Sequence, residues 1–165
     1  MFIELGNIFE NEGSSVSFDH TVKMDGSDYS ADSCFVSGIR CRGSIFNRAG
    51  VVQMVGQADF DYQAPCDRCT AMSEKHFSVP IEHELVRRRD TDGHDDDYIL
   101  VEGSGLELDD IIYEDAVFSL PMRYLCKETC KGLCPVCGAD LNVGECGCKK
   151  PSDPRLEALR QLLDK

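Results

Sequence analysis

The sequence predicts an α+β fold: an antiparallel β-sheet with a long hairpin, a central helix, a cysteine-rich C-terminal region and a short terminal helix. Three observations carry this. Apolar residues alternate with polar ones over two long stretches, a single helical-period run is closed by a proline, and eight cysteines fall in four close pairs downstream of or between these elements. The first strand signal is Val16, Phe18, His20, Val22, and it continues from Phe35 to Cys41. From Val52 the even positions read Val52, Met54, Ala58, Phe60, Tyr62, Ala64, and the odd ones Gln53, Gln57, Asp59, Asp61, Gln63, a period of two with one buried face. Asn47-Arg48-Ala49-Gly50 is the turn before it. The pattern resumes with Phe77, Val79, Ile81, His83 and Leu85, so the two runs form a long hairpin with Cys66 and Cys69 at its tip. Tyr98 to Val101 adds a short strand.

A helix follows, with Asp109 as N-cap and Ile111, Ile112, Ala116, Val117 and Leu120 at helical spacing, ended by Pro121. The tail restarts a helix at Asp153 and Pro154, with Leu156, Leu159, Leu162 and Leu163 on one stripe. The expected organisation is a mainly β domain with one helix over residues 1–120, and a cysteine-rich segment with the terminal helix over 121–165, packed as one domain. No internal repeat or low-complexity stretch is evident.

The 165 residues include 30 Asp and Glu against 17 Lys and Arg, a net charge of −13 that opposes binding of a phosphate backbone by the chain as a whole. Charge also divides the chain: residues 1–116 hold 9 basic and 24 acidic side chains, residues 117–165 hold 8 and 6. Between Asp90 and Asp115 eleven carboxylates occur without one Lys or Arg, the pattern of a solvated surface. Asp95, Asp96 and Asp97 after His94 lack the glycine-turn spacing of a calcium loop. The start of the chain has no basic region and no apolar run of signal-peptide length, and no eighteen apolar residues follow one another, so a soluble cytoplasmic protein with no membrane partner is expected.

In a reducing compartment, clustered thiols are metal ligands more often than disulfides. The pairs are Cys66-x-x-Cys69, Cys126-x3-Cys130, Cys134-x-x-Cys137 and Cys146-x-Cys148. Eight thiols make two tetrahedral sites, and zinc takes four sulfurs at about 2.3 Å, two of which a short turn delivers at little entropic cost. Cys134-Pro135-Val136-Cys137-Gly138, with Cys146 and Cys148 close behind, reads as a self-contained zinc loop. Ligand counting then places Cys66 and Cys69 with Cys126 and Cys130. A second partition closes one site from Cys126, Cys130, Cys134 and Cys137. One or two zinc ions are expected. Cys34 and Cys41 lie in strand-like segments and read as buried apolar residues.

Cys66-Asp67-Arg68-Cys69 as a redox pair would need a thiol at a helix N-terminus inside a βαβ unit, whereas this pair follows a strand and Pro65. No serine elbow, phosphate-cradling glycine loop or paired helical His motif occurs, and His20, His76 and His83 sit on strand patterns. No catalytic constellation and no small-molecule substrate are evident.

The block Leu120-Pro121, Cys126, Cys130-Lys131-Gly132-Leu133-Cys134-Pro135-Val136-Cys137-Gly138-Ala139-Asp140-Leu141-Asn142, Cys146-Gly147-Cys148 and Asp153-Pro154-Arg155-Leu156 closely resembles the YceD family. Cys66-Asp67-Arg68-Cys69 matches that family's other motif, and the resemblance is specific over residues 60–165. It implies a bacterial cytoplasmic factor needed for normal accumulation of the large-subunit ribosomal RNA, with no established enzymatic activity. It also implies that the metal of the Cys134–Cys148 stretch is a structural staple, because some members keep only the upstream motif.

Two functional classes follow. One is a non-enzymatic assembly factor whose acidic half suits a basic ribosomal protein or a precursor particle. The other is a nucleic-acid-binding zinc module that contacts a ribosomal RNA precursor through Arg123, Lys127, Lys131, Lys149, Lys150 and Arg155. The same basic residues would also serve as a solvated rim that balances thiolate charge.

Overall fold

The computed structural model describes residues 1–23, 34–87 and 98–148. The expected terminal helix from Asp153, the Asp95–Asp97 triplet, and Lys149, Lys150 and Arg155 lie outside the described residues. Contacts gather the described chain into two compact units, Met1–Ala64 with Met72–Tyr124, and Pro65–Ala71 with the residues from Leu125 onward.

The first unit is built on a five-stranded sheet. Its strands are β2 (Ser15–Val22), β3 (Ile39–Arg48), β4 (Val51–Pro65), β5 (Met72–Arg87) and β6 (Tyr98–Val101), in the spatial order β2-β3-β4-β5-β6. A second, two-stranded sheet pairs β1 (Phe2–Glu4) with β7 (Gly105–Glu107). Helix α1 spans Gly6–Glu10 and α2 spans Leu108–Ser119. None of the helices is long and apolar enough to cross a membrane among the described residues.

Alternation explains the sheet. In β4, Val52, Met54, Ala58, Phe60 and Ala64 are buried while their odd-numbered neighbours face outward, and Ile81 and Leu85 do the same in β5. The β3–β4 turn contains only Ala49 and Gly50, both at positive φ (55° and 86°), since Asn47 and Arg48 belong to β3. Two left-handed residues match the right-handed twist of the flanking strands. Asn47 is 4% exposed and holds this corner: its Nδ2 donates to the Ile8 carbonyl (2.8 Å), and its Oδ1 accepts the Gly50 N–H (3.1 Å).

Helix α2 covers the inner face of the sheet with Leu108, Ile112 and Ala116, all fully buried, and burial of Leu108 and of Ile112 stabilises by about 1.5–3 kcal/mol each. Phe35, Phe60 and Phe77 extend this core as a ring cluster, with centroids 5.2 and 5.5 Å apart. The outer face carries cross-strand polar pairs, Asp19 with Arg40, Asp59 with Arg42 and Ser78, and Asp61 with His76. The Asp59–Ser78 and Asp61–His76 contacts run in opposite senses along β4 and β5, as in a hairpin. Tyr124 ends the unit, its hydroxyl 3.0 Å from the Tyr62 carbonyl and 2.8 Å from that of Ser73.

Three expectations need correction. The sheet is mixed, because β6 pairs with β5 in parallel (Glu84 with Tyr98, Arg87 with Val101). A tight turn would have forced an antiparallel return, and the ten residues between Arg87 and Tyr98 impose no such constraint. The run Phe35–Cys41 is broken: β3 starts at Ile39, and Gly38 sits at φ 78° where a Cβ would meet the Val22 carbonyl oxygen at 2.5 Å. Phe35 makes an isolated bridge to Tyr62. Asp109 is not the N-cap of α2. Strand β7 leads straight into the helix, so the extended Glu107 takes the cap position without a side-chain bond. The Asp109 carboxylate instead meets His20 Nε2 at 2.8 Å.

Candidate metal centres

The second unit is held by cysteines and tight turns. Sγ atoms of Cys66, Cys69, Cys126 and Cys130 all lie within 4.8 Å of one another, and those of Cys134, Cys137, Cys146 and Cys148 form a second such group. The grouping of Cys126, Cys130, Cys134 and Cys137 into one site is not formed. All ten cysteines are free. In the first group Cys66 and Cys130 are 3.8 Å apart and Cys69 and Cys126 3.7 Å. A disulfide would bring two sulfurs to about 2.05 Å. A tetrahedron of sulfurs each about 2.3 Å from one ion has edges of about 3.8 Å. Sulfurs bound to separate irons of a cluster would stand further apart, so the donor set fits a single ion.

Both upstream halves are the same turn. Cys66 N–H donates to the Ala71 carbonyl (2.9 Å) and Thr70 N–H to the Cys66 carbonyl (2.8 Å); Cys134 N–H donates to Ala139 (2.8 Å) and Gly138 N–H to Cys134 (2.9 Å). In each turn the residue after the second cysteine is left-handed, Thr70 at φ 60° and Gly138 at φ 73°. A six-residue repeat, Cys-x-x-Cys-x-Ala, therefore exists at Cys66–Ala71 and Cys134–Ala139, where none was expected. The shared alanine was its signal. It escapes a search for longer repeats because Thr70 replaces the glycine.

Backbone N–H groups point at the first sulfur of each turn, from within the turn and, for Cys66, also from the facing Cys126. The N–H groups of Cys126, Arg68 and Cys69 pull the Cys66 thiol down to about 6, against the effect of burial. Those of Cys137 and Val136 bring Cys134 to about 6 in the same way. Burial, with the neighbouring thiols, pushes Cys126 up to about 12, and the Cys137 thiol together with burial pushes Cys148 up to about 12. Each group thus holds a readily ionised sulfur, with Cys130 also drawn down in the first, while Cys126 and Cys148 resist a further negative charge. A dication at the centre reverses the sign of that resistance.

The two groups differ in exposure. Cys66, Cys69 and Cys130 are buried with Leu125 and Cys126 against them, whereas Cys137 is exposed and Cys146 and Cys148 are half-buried. The first group is braced further: Arg68 donates through Nη1 to the Cys130 carbonyl (2.8 Å), and its own carbonyl accepts the Leu133 N–H (2.9 Å). Gly132 lets these backbones meet, since a Cβ there would lie 2.8 Å from the Arg68 oxygen.

Of the basic residues singled out, Arg123 is exposed in the first unit, and Lys127 and Lys131 are exposed in the second. Cys41 is fully buried in β3 and its thiol is pushed up to about 11 by burial. Cys34 is half-buried.

The family model described as large ribosomal RNA subunit accumulation protein YceD matches residues 54–163, about two thirds of the chain. The chain belongs to the YceD family. No curated protein and no solved structure matches it. Every one of the eight clustered thiols lies inside the span matched to YceD, so both groups fall within the part of the chain that defines membership. The YceD description connects the family with accumulation of the large ribosomal RNA subunit and names no catalysed reaction.

Proposed function

We propose that this chain is a non-enzymatic, zinc-binding cytoplasmic accessory factor in large ribosomal subunit biogenesis, with one zinc in each four-cysteine group. The observation that carries the reading is the presence of two four-sulfur groups of single-ion size within the YceD-matched span. Four thiolates leave no open position for substrate, so the metals act as structural cross-links. Soft thiolate donors in a tetrahedron favour zinc over hard cations. The partner in this reading is a basic ribosomal protein or a precursor particle, since a net charge of −13 favours a cationic surface.

The test has three parts. Elemental analysis of protein purified under reducing conditions should give two zinc per chain, and iron in its place would overturn the assignment. Deletion of the gene in its host should lower large-subunit ribosomal RNA relative to small-subunit RNA. Titration of ribosomal RNA fragments across a salt series separates protein from nucleic-acid binding. Tight binding that weakens steeply with salt and depends on Arg123, Lys127, Lys131, Lys149, Lys150 and Arg155 would move the assignment to the nucleic-acid module.

A further inference from the structure

Asn142 belongs by sequence to the second thiol group, on the connection between Cys137 and Cys146, yet its amide reaches the first. Its Nδ2 lies 3.5 Å from the Cys130 Sγ and 2.7 Å from Asp140 Oδ1, and its Oδ1 accepts the Lys131 backbone N–H at 2.9 Å. The orientation of the amide is determined by these partners. Flipped, it would set an oxygen against a sulfur and a carboxylate, and an NH2 against an N–H. The loop is pinned in place around it. Asp140 Oδ1 accepts the Asn142 N–H (2.8 Å), Leu141 N–H donates to the Gly132 carbonyl (2.9 Å), and Leu133 bridges Asp140 in antiparallel fashion.

Resting on the two-metal reading above, we infer that Asn142 is an outer-shell positioning residue of the Cys66, Cys69, Cys126, Cys130 centre, held in place by the loop that the Cys134, Cys137, Cys146, Cys148 centre organises. Retention of metal at the first centre therefore depends on loading of the second. The physical basis is charge: four thiolates and one dication carry a formal −2, and an N–H donated to one sulfur withdraws part of it and fixes that sulfur's direction. When the second centre empties, the loop from Cys137 to Cys146 loses the anchors at its two ends, the Gly132 and Leu133 contacts alone do not hold it, and the donor leaves Cys130. Linkage makes the coupling mutual in equilibrium affinity, whereas the release rates of the two centres need not change symmetrically.

The experiment uses full-length, zinc-loaded protein and follows zinc transfer to a chromogenic chelator. The Cys66→Ser variant identifies the phase that belongs to the first centre. Asn142→Ala should speed that phase about 10-fold or more, the range for outer-shell residues of metal sites, and change the other phase much less. Asn142→Asp keeps an acceptor for Lys131 but replaces the donor with a charged oxygen facing the Cys130 sulfur and the Asp140 carboxylate, so it should speed the same phase at least as much. Cys148→Ser should speed the first-centre phase as well, and adding Asn142→Ala to it should do little more, because both act through one contact. In the cobalt-substituted protein, Asn142→Ala should shift the sulfur-to-cobalt charge-transfer band of the first centre, a change that a merely looser loop would not produce. Unchanged phases, both phases accelerated alike, or full additivity with Cys148→Ser would overturn the inference. Absence of zinc from the wild-type protein would overturn the metal reading itself, before any variant is compared.

Discussion

Three glycines of the second unit form a graded test of how the cysteine turns are built. Gly144 has no atom within 4 Å of an added Cβ and no positive φ; Gly138 has the same open space but φ 73°; Gly132 has φ 75° and an added Cβ 2.8 Å from the Arg68 carbonyl oxygen. Replacing each with alanine therefore isolates one cause at a time. Alanine restricts the unfolded chain equally in all three, so the ordering reports the folded state. Gly144→Ala should leave zinc retention unchanged or slightly improved. Gly138→Ala adds only the cost of a left-handed alanine, about 1 kcal/mol. Gly132→Ala adds that cost and forces the Arg68 and Leu133 backbones apart, losing their hydrogen bond at about 1–2 kcal/mol more, for a total of about 2–3 kcal/mol. Expressed as apparent zinc affinity, these are about 5-fold for Gly138→Ala and about 30- to 150-fold for Gly132→Ala. Competition against a chelator of known affinity, monitored at equilibrium, reads the whole series. Wild-type retention in Gly132→Ala, or a larger loss in Gly138→Ala than in Gly132→Ala, would refute the argument that close backbone approach at Gly132 organises the unit.

Cys66→Ser should reduce the zinc content from two to one per chain and leave Cys134, Cys137, Cys146 and Cys148 loaded, as measured by elemental analysis; retention of both ions would count against the grouping. Asn47→Ala removes a buried amide that satisfies the Ile8 carbonyl and the Gly50 N–H, and should cost about 2–4 kcal/mol, seen as a fall of several degrees in the melting temperature. Cys41, fully buried and with its thiol pushed up to about 11, should be almost entirely protonated at pH 8. In the native protein it should resist alkylation, and modification of Cys41 before unfolding, detected by mass spectrometry, would contradict its place in the core.

Much of the first unit could be read from residue order. The burial of Val52, Met54, Ala58 and Phe60 follows from a period of two, because a strand buried on one face exposes its chemistry to the sequence two residues at a time. Helix α2 was legible within two residues of its ends, since Pro121 cannot continue it and Ile112 and Ala116 share a face. Helix α1 was not, as five residues are too few to display a helical period. The β1–β7 pair joins residues about a hundred positions apart, Phe2 with Glu107, and three-residue strands carry no alternation to detect. The Asp109 cap failed for a related reason. An aspartate ahead of an apolar run is a valid local signal, but the end of β7 decided where the helix begins, and His20 claimed the carboxylate.

For the candidate metal centres, the sequence alone determined which residues could serve: thiols in pairs separated by one to three residues, in a pattern that resembles YceD. Short spacing is a local property, and a turn that brings two sulfurs together needs only the residues within it. Only the tertiary structure decided which pair joins which. Cys66 and Cys130 stand 64 residues apart, and no feature of either pair names its partner. Their meeting depends on the Arg68–Leu133 backbone bond and on the missing side chain of Gly132. The role of Asn142 was hidden for the same reason. A single asparagine in a loop has no periodicity and no motif of its own, and it acquires meaning only when folding sets its N–H against the sulfur of a residue twelve positions earlier.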